Sequence, residues 1–263
     1  MTNLLNNHLL YYNILQPKNP ISSTSIVLLH GLFGDHQNLG LLGRYLQNYF
    51  KVIAVDIRNH GQSPQTETMC YSEIAIDVIE LLSYLNQKNV ILIGHSMGGK
   101  VAMTMASLMP NFIEKIIIID IAPVSYHINV HKHIFFALEQ VVQSGVTSRK
   151  EAAIIMRNLI IKENKIQFLL KSFNKGKWKF NLPVLKKNYH QLMNWKVISP
   201  CRLPALFISG SFSNYIAESY YENIINQFPE ATIHIVLGCG HWVHIENSEA
   251  VIRAIYKFLN IHI

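Results

Sequence analysis

The sequence predicts an α/β fold: a mostly parallel, twisted sheet flanked by helices, with a helical cap inserted once into the alternation. Three observations carry this. Short, β-branched, near-continuous apolar runs alternate with amphipathic segments along most of the 263 residues, the pattern of strands buried on both faces of a parallel sheet. The run Gly94-His95-Ser96-Met97-Gly98 joins one such stretch, Val90-Ile91-Leu92-Ile93, to a helical segment. Across 123–200 the strand signal lapses and helical patterns take over.

Taken in order, an antiparallel edge strand is expected within 9–15, followed by strands at 25–30, 52–56, 90–94, 115–120, 205–210 and 232–237. Helices are expected between them at 38–47, 72–85, 99–109 and 218–228, with a last one at 248–259. Ser72 and Glu73 suit a helix start, and Pro110 stops the helix that follows Gly98. The interruption holds helical patterns at 131–144, 147–159, 166–172 and 182–195. The core is thus assigned to 1–122 and 201–263, and an all-helical cap to 123–200. An insertion here sits over the carboxyl ends of the strands, where open α/β sheets bind ligands.

Composition sets the outer bounds. Apolar residues make up 49% and charged residues 15% of the chain, which suits one domain with a large core and excludes disorder. The formal net charge is +7, and the stretch 162–196 alone holds nine Lys against one acid, Glu163. Such a run reads first as a solvated face, and no nucleic-acid-binding motif accompanies it. Cys70, Cys201 and Cys239 form neither a metal pattern nor a disulfide framework, so no metal or cofactor is expected. No apolar run is long enough to span a bilayer, and 1–10 lacks the basic start of a signal peptide. A cytoplasmic protein without integral membrane segments is expected; the oligomeric state is left open.

The chemistry is concentrated at Ser96. G-x-S-x-G between a strand and a helix is the nucleophile elbow, a sharp turn that exposes the serine hydroxyl. A serine needs a base to take its proton and amide donors for the oxyanion. One donor falls to the N–H of Met97. The other falls to the loop His30-Gly31-Leu32-Phe33-Gly34 after the first parallel strand, with Leu32 preferred and Phe33 second. Among 13 His, His241 is singled out because Gly238-Cys239-Gly240-His241-Trp242 follows the last strand; His244 is its rival. Enzymes built on this elbow run nucleophile, acid, base in chain order. Of the four Asp (35, 56, 77 and 120), only Asp120 lies between Ser96 and His241. It closes the strand next to the nucleophile's, so the catalytic set is Ser96, His241 and Asp120. Phe33, Phe135, Phe136, Phe168 and Trp178 are the candidate walls of a substrate pocket.

These residues resemble the α/β-hydrolase superfamily over nearly the whole chain. The narrower resemblance is to YbfF-type bacterial esterases and their mitochondrial relatives. It rests on Asp120-Ile121-Ala122-Pro123-Val124, Gln167-Phe168-Leu169-Leu170-Lys171-Ser172-Phe173 and Phe180-Asn181-Leu182-Pro183-Val184. Most of the superfamily carries its acid after the strand that follows the cap, where this chain has Ser213. In the YbfF-type group the acid is similar in place to Asp120. The resemblance implies hydrolysis of short acyl esters, with acyl-CoA thioesters as a second substrate class. A small-molecule ester or thioester is therefore the expected partner. Two other readings stay open: a lyase or carbon–carbon bond hydrolase on the same fold, and a hydrolase-like binding protein without turnover.

Overall fold

The computed structural model describes residues 8–126, 131–160 and 162–261. Strands β1 (Tyr12–Leu15), β2 (Ser25–Leu29), β3 (Lys51–Val55), β4 (Val90–His95) and β5 (Ile113–Ile119) precede the insertion, and β8 (Ala205–Gly210) and β9 (Ala231–Val236) follow it. They form one seven-stranded sheet in the order β1-β3-β2-β4-β5-β8-β9, antiparallel only at β1. Helices α1 (Gly40–Leu46), α2 (Tyr71–Tyr84), α3 (Met97–Leu108), α9 (Tyr221–Gln227), α10 (Val243–Glu246) and α11 (Ser248–Phe258) complete the core. The edge strand expected within 9–15 is β1, antiparallel to β3.

Alternation along the strands builds two cores. Val27, Leu29, Ile116, Ile118 and Phe207 pack with α2, α3 and the insertion. Ile26, Leu28, Ile117, Ile119 and Ile208 face α1 and α11 on the opposite side. Both sets are essentially inaccessible to water, as strands covered on two faces demand. The register aligns His95 with Ile119, Ile119 with Ile208, and Gly210 with Val236. The segments leaving β4, β5, β8 and β9 therefore emerge side by side at one rim.

The insertion comprises α4 (Lys132–Gln143), α5 (Arg149–Arg157), α6 (Glu163–Leu170), a hairpin of β6 (Phe173–Asn174) and β7 (Lys177–Trp178), then α7 (Leu182–Lys187) and α8 (Tyr189–Met193). The all-helical expectation is corrected by this hairpin, whose turn residues Lys175 and Gly176 both have positive φ (47° and 81°). Two-residue strands are too short to show alternation in sequence. The helix expected over 182–195 is likewise two helices, broken at Asn188, whose amide side chain donates to the carbonyls of Val184 and Glu67. Hydrogen bonds fasten the insertion to the sheet rim: Ser172 Oγ donates to Phe33 O (2.7 Å), Tyr71 OH to Leu192 O (2.7 Å), and Asn181 N to Asn59 O (2.8 Å). Lys179 pairs with Asp35 at 3.0 Å.

Candidate active site

The elbow is fixed by what glycine lacks. Ser96 adopts φ 52°, ψ −116° between β4 and α3, a strained conformation for a residue with a side chain. A Cβ on Gly94 would stand 2.2 Å from Gly98 O, and one on Gly98 would stand 2.1 Å from Leu29 O. Only two bare backbones let strand and helix meet this closely. The Ser96 N–H donates to Ile119 O (2.9 Å), tying the turn to the neighbouring strand.

Ser96, His241 and Asp120, expected together from the sequence, are brought together here. His241 Nε2 lies 3.1 Å from Ser96 Oγ, and His241 Nδ1 lies 2.7 Å from Asp120 Oδ2. Asp120 is fully buried and has φ 54°. Its Oδ1 accepts from Gly210 N and Ser209 Oγ, each at 3.2 Å, and its Oδ2 also accepts from Ser213 Oγ at 2.5 Å. With both oxygens occupied by donors, the carboxyl group is an acceptor toward the imidazole, so Nδ1 carries the proton and Nε2 is free to receive one from Ser96. Ser213, at the position where the wider superfamily carries its acid, thus serves Asp120 as a donor.

The imidazole is held from behind. His95 Nε2–H donates to His241 O (3.0 Å), and the Tyr215 ring lies 4.1 Å from the His241 ring, centroid to centroid. Tyr215 O in turn accepts from Tyr126 OH (2.6 Å), which itself accepts from Ala122 N (2.9 Å). The rival His244 is buried against His95, at 4.4 Å between centroids. Asp56 serves the backbone: its oxygens accept from the amides of His36 (2.6 Å) and Gln62 (2.8 Å).

The loop after β2 faces the same spot. The Phe33 N–H is taken by His60 Nε2 (3.2 Å). Among the described residues no protein acceptor engages the amides of Leu32 or Met97. Of the two loop amides, Phe33 N–H is thus engaged and Leu32 N–H is left without a protein acceptor among the described residues. His30 and His60 brace this loop as neutral rings. His30 Nε2 accepts from Ile57 N and its Nδ1–H donates to Gly31 O, while His60 Nδ1–H donates to Arg58 O.

Burial pushes His60, His131 and His244 down to about 3, and lowers His30 and His95 as well. Below the ordinary histidine value of 6.5 the unfolded chain takes up these protons and the folded chain does not. Stability is then full above pH 6.5 and falls as pH drops below it, because the unfolded chain binds protons that the folded chain excludes. Urea unfolding midpoints are expected to fall clearly between pH 7.5 and pH 5.5; a flat profile would contradict these neutral rings.

A cavity of about 480 Å³ opens above Ser96, a size that suits a small ligand. Strand-end loops and the insertion line it together. Phe33 and Phe168, two of the five candidate wall residues, line it beside Leu32, Ile134, Met193, Tyr215 and Trp242. Three expected wall residues are not. Phe135 is buried between Phe33 and Tyr189. Phe136, the next residue on α4, is 50% exposed, because successive helical positions point about 100° apart. Trp178 stacks on Phe180 and donates from Nε1 to Leu138 O (3.2 Å) inside the insertion.

Sequence reasoning passed over Lys100, one turn beyond the elbow. It is 1% exposed and has no carboxylate partner among the described residues. Its Nζ donates to the carbonyls of Asn194 (3.1 Å) and Met193 (3.3 Å) at the end of α8, and faces the rings of Tyr126, Tyr71 and Trp195. Carbonyl dipoles and ring faces take the place of a counter-ion, and burial lowers its pKa to about 7. The elbow helix is thereby lashed to the insertion. Among the described residues no group of three or more His, Cys, Asp or Glu could hold a metal ion, and no helix is long and apolar enough to cross a membrane.

Comparison with known proteins agrees with this architecture. Esterase YbfF of Escherichia coli K12 is 45% identical over 243 residues, 92% of this chain and 96% of that one. The sn-1-specific diacylglycerol lipase ABHD11 of Danio rerio is 33% identical, over 95% of this chain and 82% of that one. Among solved structures, a marine microorganism esterase superposes with a TM-score of 0.89 at 33% identity, covering 95% and 99% of the two chains. The model of the alpha/beta hydrolase family matches residues 26–254, sheet, elbow and insertion alike, and the chain belongs to that family, with YbfF as its type.

Proposed function

We propose that this protein is a serine esterase that hydrolyses carboxylic esters through an acyl-enzyme on Ser96. The observation that carries the reading is the unbroken relay from Ser96 Oγ through His241 to the buried Asp120, set beside two unengaged amides. Relatives named as an esterase and a diacylglycerol lipase support it. Ser96 Oγ attacks the acyl carbonyl as His241 Nε2 takes its proton. The Leu32 and Met97 amides meet the tetrahedral oxyanion, each worth roughly 3 kcal/mol at the transition state. Asp120 holds the imidazole tautomer and stabilises the imidazolium. The alcohol or thiol leaves with the proton from His241. Water then gives a proton to His241, attacks the acyl carbon, and the collapse returns that proton to Ser96 Oγ with release of the acid. Residues 123–200 act as the cap that closes the cavity over these atoms.

A panel of aryl esters and acyl-CoA thioesters of increasing chain length, run beside Ser96→Ala, tests the reading. Turnover of esters, trapping of an acyl group on Ser96, and loss of both in Ser96→Ala are expected. Binding without turnover in the wild-type protein would favour a non-catalytic receptor. Cleavage confined to carbon–carbon bonds would favour the lyase or carbon–carbon hydrolase class.

Thioesters of coenzyme A are the second substrate class in this reading, favoured by the cap's lysines. Clustered positive charge raises encounter rates with anions, and salt screens it. Raising ionic strength is then expected to lower kcat/KM for an acyl-CoA and to leave a neutral ester nearly unaffected. Equal salt effects on both would remove the lysines from substrate capture.

A further inference from the structure

We propose that the mouth of the cavity is a docking face for an anionic lipid bilayer. The face is built from two strand-end segments and one cap helix. Phe212, in the cavity wall, is 78% exposed, and Leu237 is 80% exposed. Their loops are bonded to one another: Ser211 N to Val236 O, Phe212 N to Cys239 O, and Gly238 N to Ser211 Oγ. Ile245, on the short helix after His241, adds a third apolar side chain at 46% exposure. Across the mouth α6 brings Phe168 to within 5.2 Å of Trp242, ring to ring.

The same helix supplies charge. Lys162 and Lys165 line the cavity, and Lys171 at its end lies within electrostatic reach of His244. Of the nearby acids, one is paired with a cation and the other, at the cavity wall, holds a backbone amide. Glu163 pairs with Arg157 at 2.8 Å, and Glu246 Oε2 accepts from Gly240 N at 2.7 Å. Large apolar side chains left in water on a rim whose Lys162, Lys165 and Lys171 have no carboxylate partner among the described residues form the surface that enters an interface rich in anionic headgroups. A second copy of the chain fits poorly: a two-fold contact through this face sets lysine against lysine and closes the cavity. The bilayer instead lies against an open mouth and brings ester-bearing lipids to it, a role that rests on the esterase reading.

The test uses Ser96→Ala protein and sedimentation with phosphatidylcholine vesicles, with and without phosphatidylglycerol. Binding is expected to appear with phosphatidylglycerol and to fade as salt is raised. Lys171→Glu is expected to weaken it about tenfold, since each charge near the surface counts, and Leu237→Ser to weaken it further. Lys88→Glu, just before β4 at the opposite rim, is expected to change nothing. In protein with Ser96 intact, Leu237→Ser and Lys171→Glu are expected to hydrolyse a water-soluble aryl ester at the parental rate, which shows that they fold. No binding to phosphatidylglycerol vesicles, or an equal loss in Lys88→Glu, overturns the proposal. So does a dimer that Leu237→Ser dissociates, which would assign the face to a second copy. Vesicle binding by a protein that cleaves no ester would remove the esterase reading and leave the docking face standing.

Discussion

Asp120→Asn is expected to lower kcat by about a thousandfold to ten-thousandfold with little change in fold. The geometry dictates the mechanism of the loss. Oδ1 receives the Gly210 amide and the Ser209 hydroxyl, so the asparagine keeps its carbonyl oxygen there. Its NH₂ then faces His241 Nδ1, where a carboxylate oxygen now sits at 2.7 Å. A donor at that point forces the proton onto Nε2, and the ring loses the lone pair that receives the Ser96 proton. The Ser213 hydroxyl lies 2.5 Å from Oδ2, so a carboxylate grown from position 213 reaches the same nitrogen. The double variant Asp120→Asn/Ser213→Asp is expected to recover part of the lost rate. Steady-state kinetics on an aryl ester decide this, and an Asp120→Asn enzyme at the parental rate would take the acid away from position 120.

Gly98→Ala is expected to leave no stable folded protein. The added methyl would stand 2.1 Å from Leu29 O and 2.7 Å from His30 O, both backbone atoms of the central sheet and its exit. Relief requires α3 to lift away from β2, which opens a core whose members are all but sealed from water. The cost exceeds roughly 4 kcal/mol, the range reserved for a few severe mechanisms. Gly145→Ala is the control. Gly145 has φ +69° but nothing within 4 Å of a built Cβ, so about 1 kcal/mol is lost to backbone strain alone. Soluble yield and urea midpoints compare the two, and a Gly98→Ala protein that unfolds where the parent does would refute the account.

Much of this was legible in sequence because the decisive signals are local or scarce. Apolar runs such as Ile116-Ile117-Ile118-Ile119 announce a central strand without help from distant residues. Asp120 stands out because no other Asp lies between Ser96 and His241, and the register of β4 and β5 brings it beside the elbow. The illegible parts depend on partners remote in sequence. Phe135 and Phe136 are indistinguishable until the direction of α4 is known. Ser213 reads as a missing acid until its hydroxyl is seen on Asp120. Lys100 looks like a surface lysine because its partners, two carbonyls 93 and 94 positions downstream, leave no trace in side-chain identity. The hairpin at Phe173–Trp178 is hidden by its own brevity.

The imidazole comes from 145 positions beyond the nucleophile, on a loop that exists only once β8 and β9 have joined the sheet, whereas Ser96 and Asp120 belong to a single β–α–β unit. On the proposed mechanism, turnover is therefore expected to be the last property a refolding chain regains. Trp178 and Trp195 lie in the insertion and Trp242 beside His241, so tryptophan emission is expected to follow the insertion and this last loop, and ester hydrolysis to return only when the segment from β8 onward has found its place.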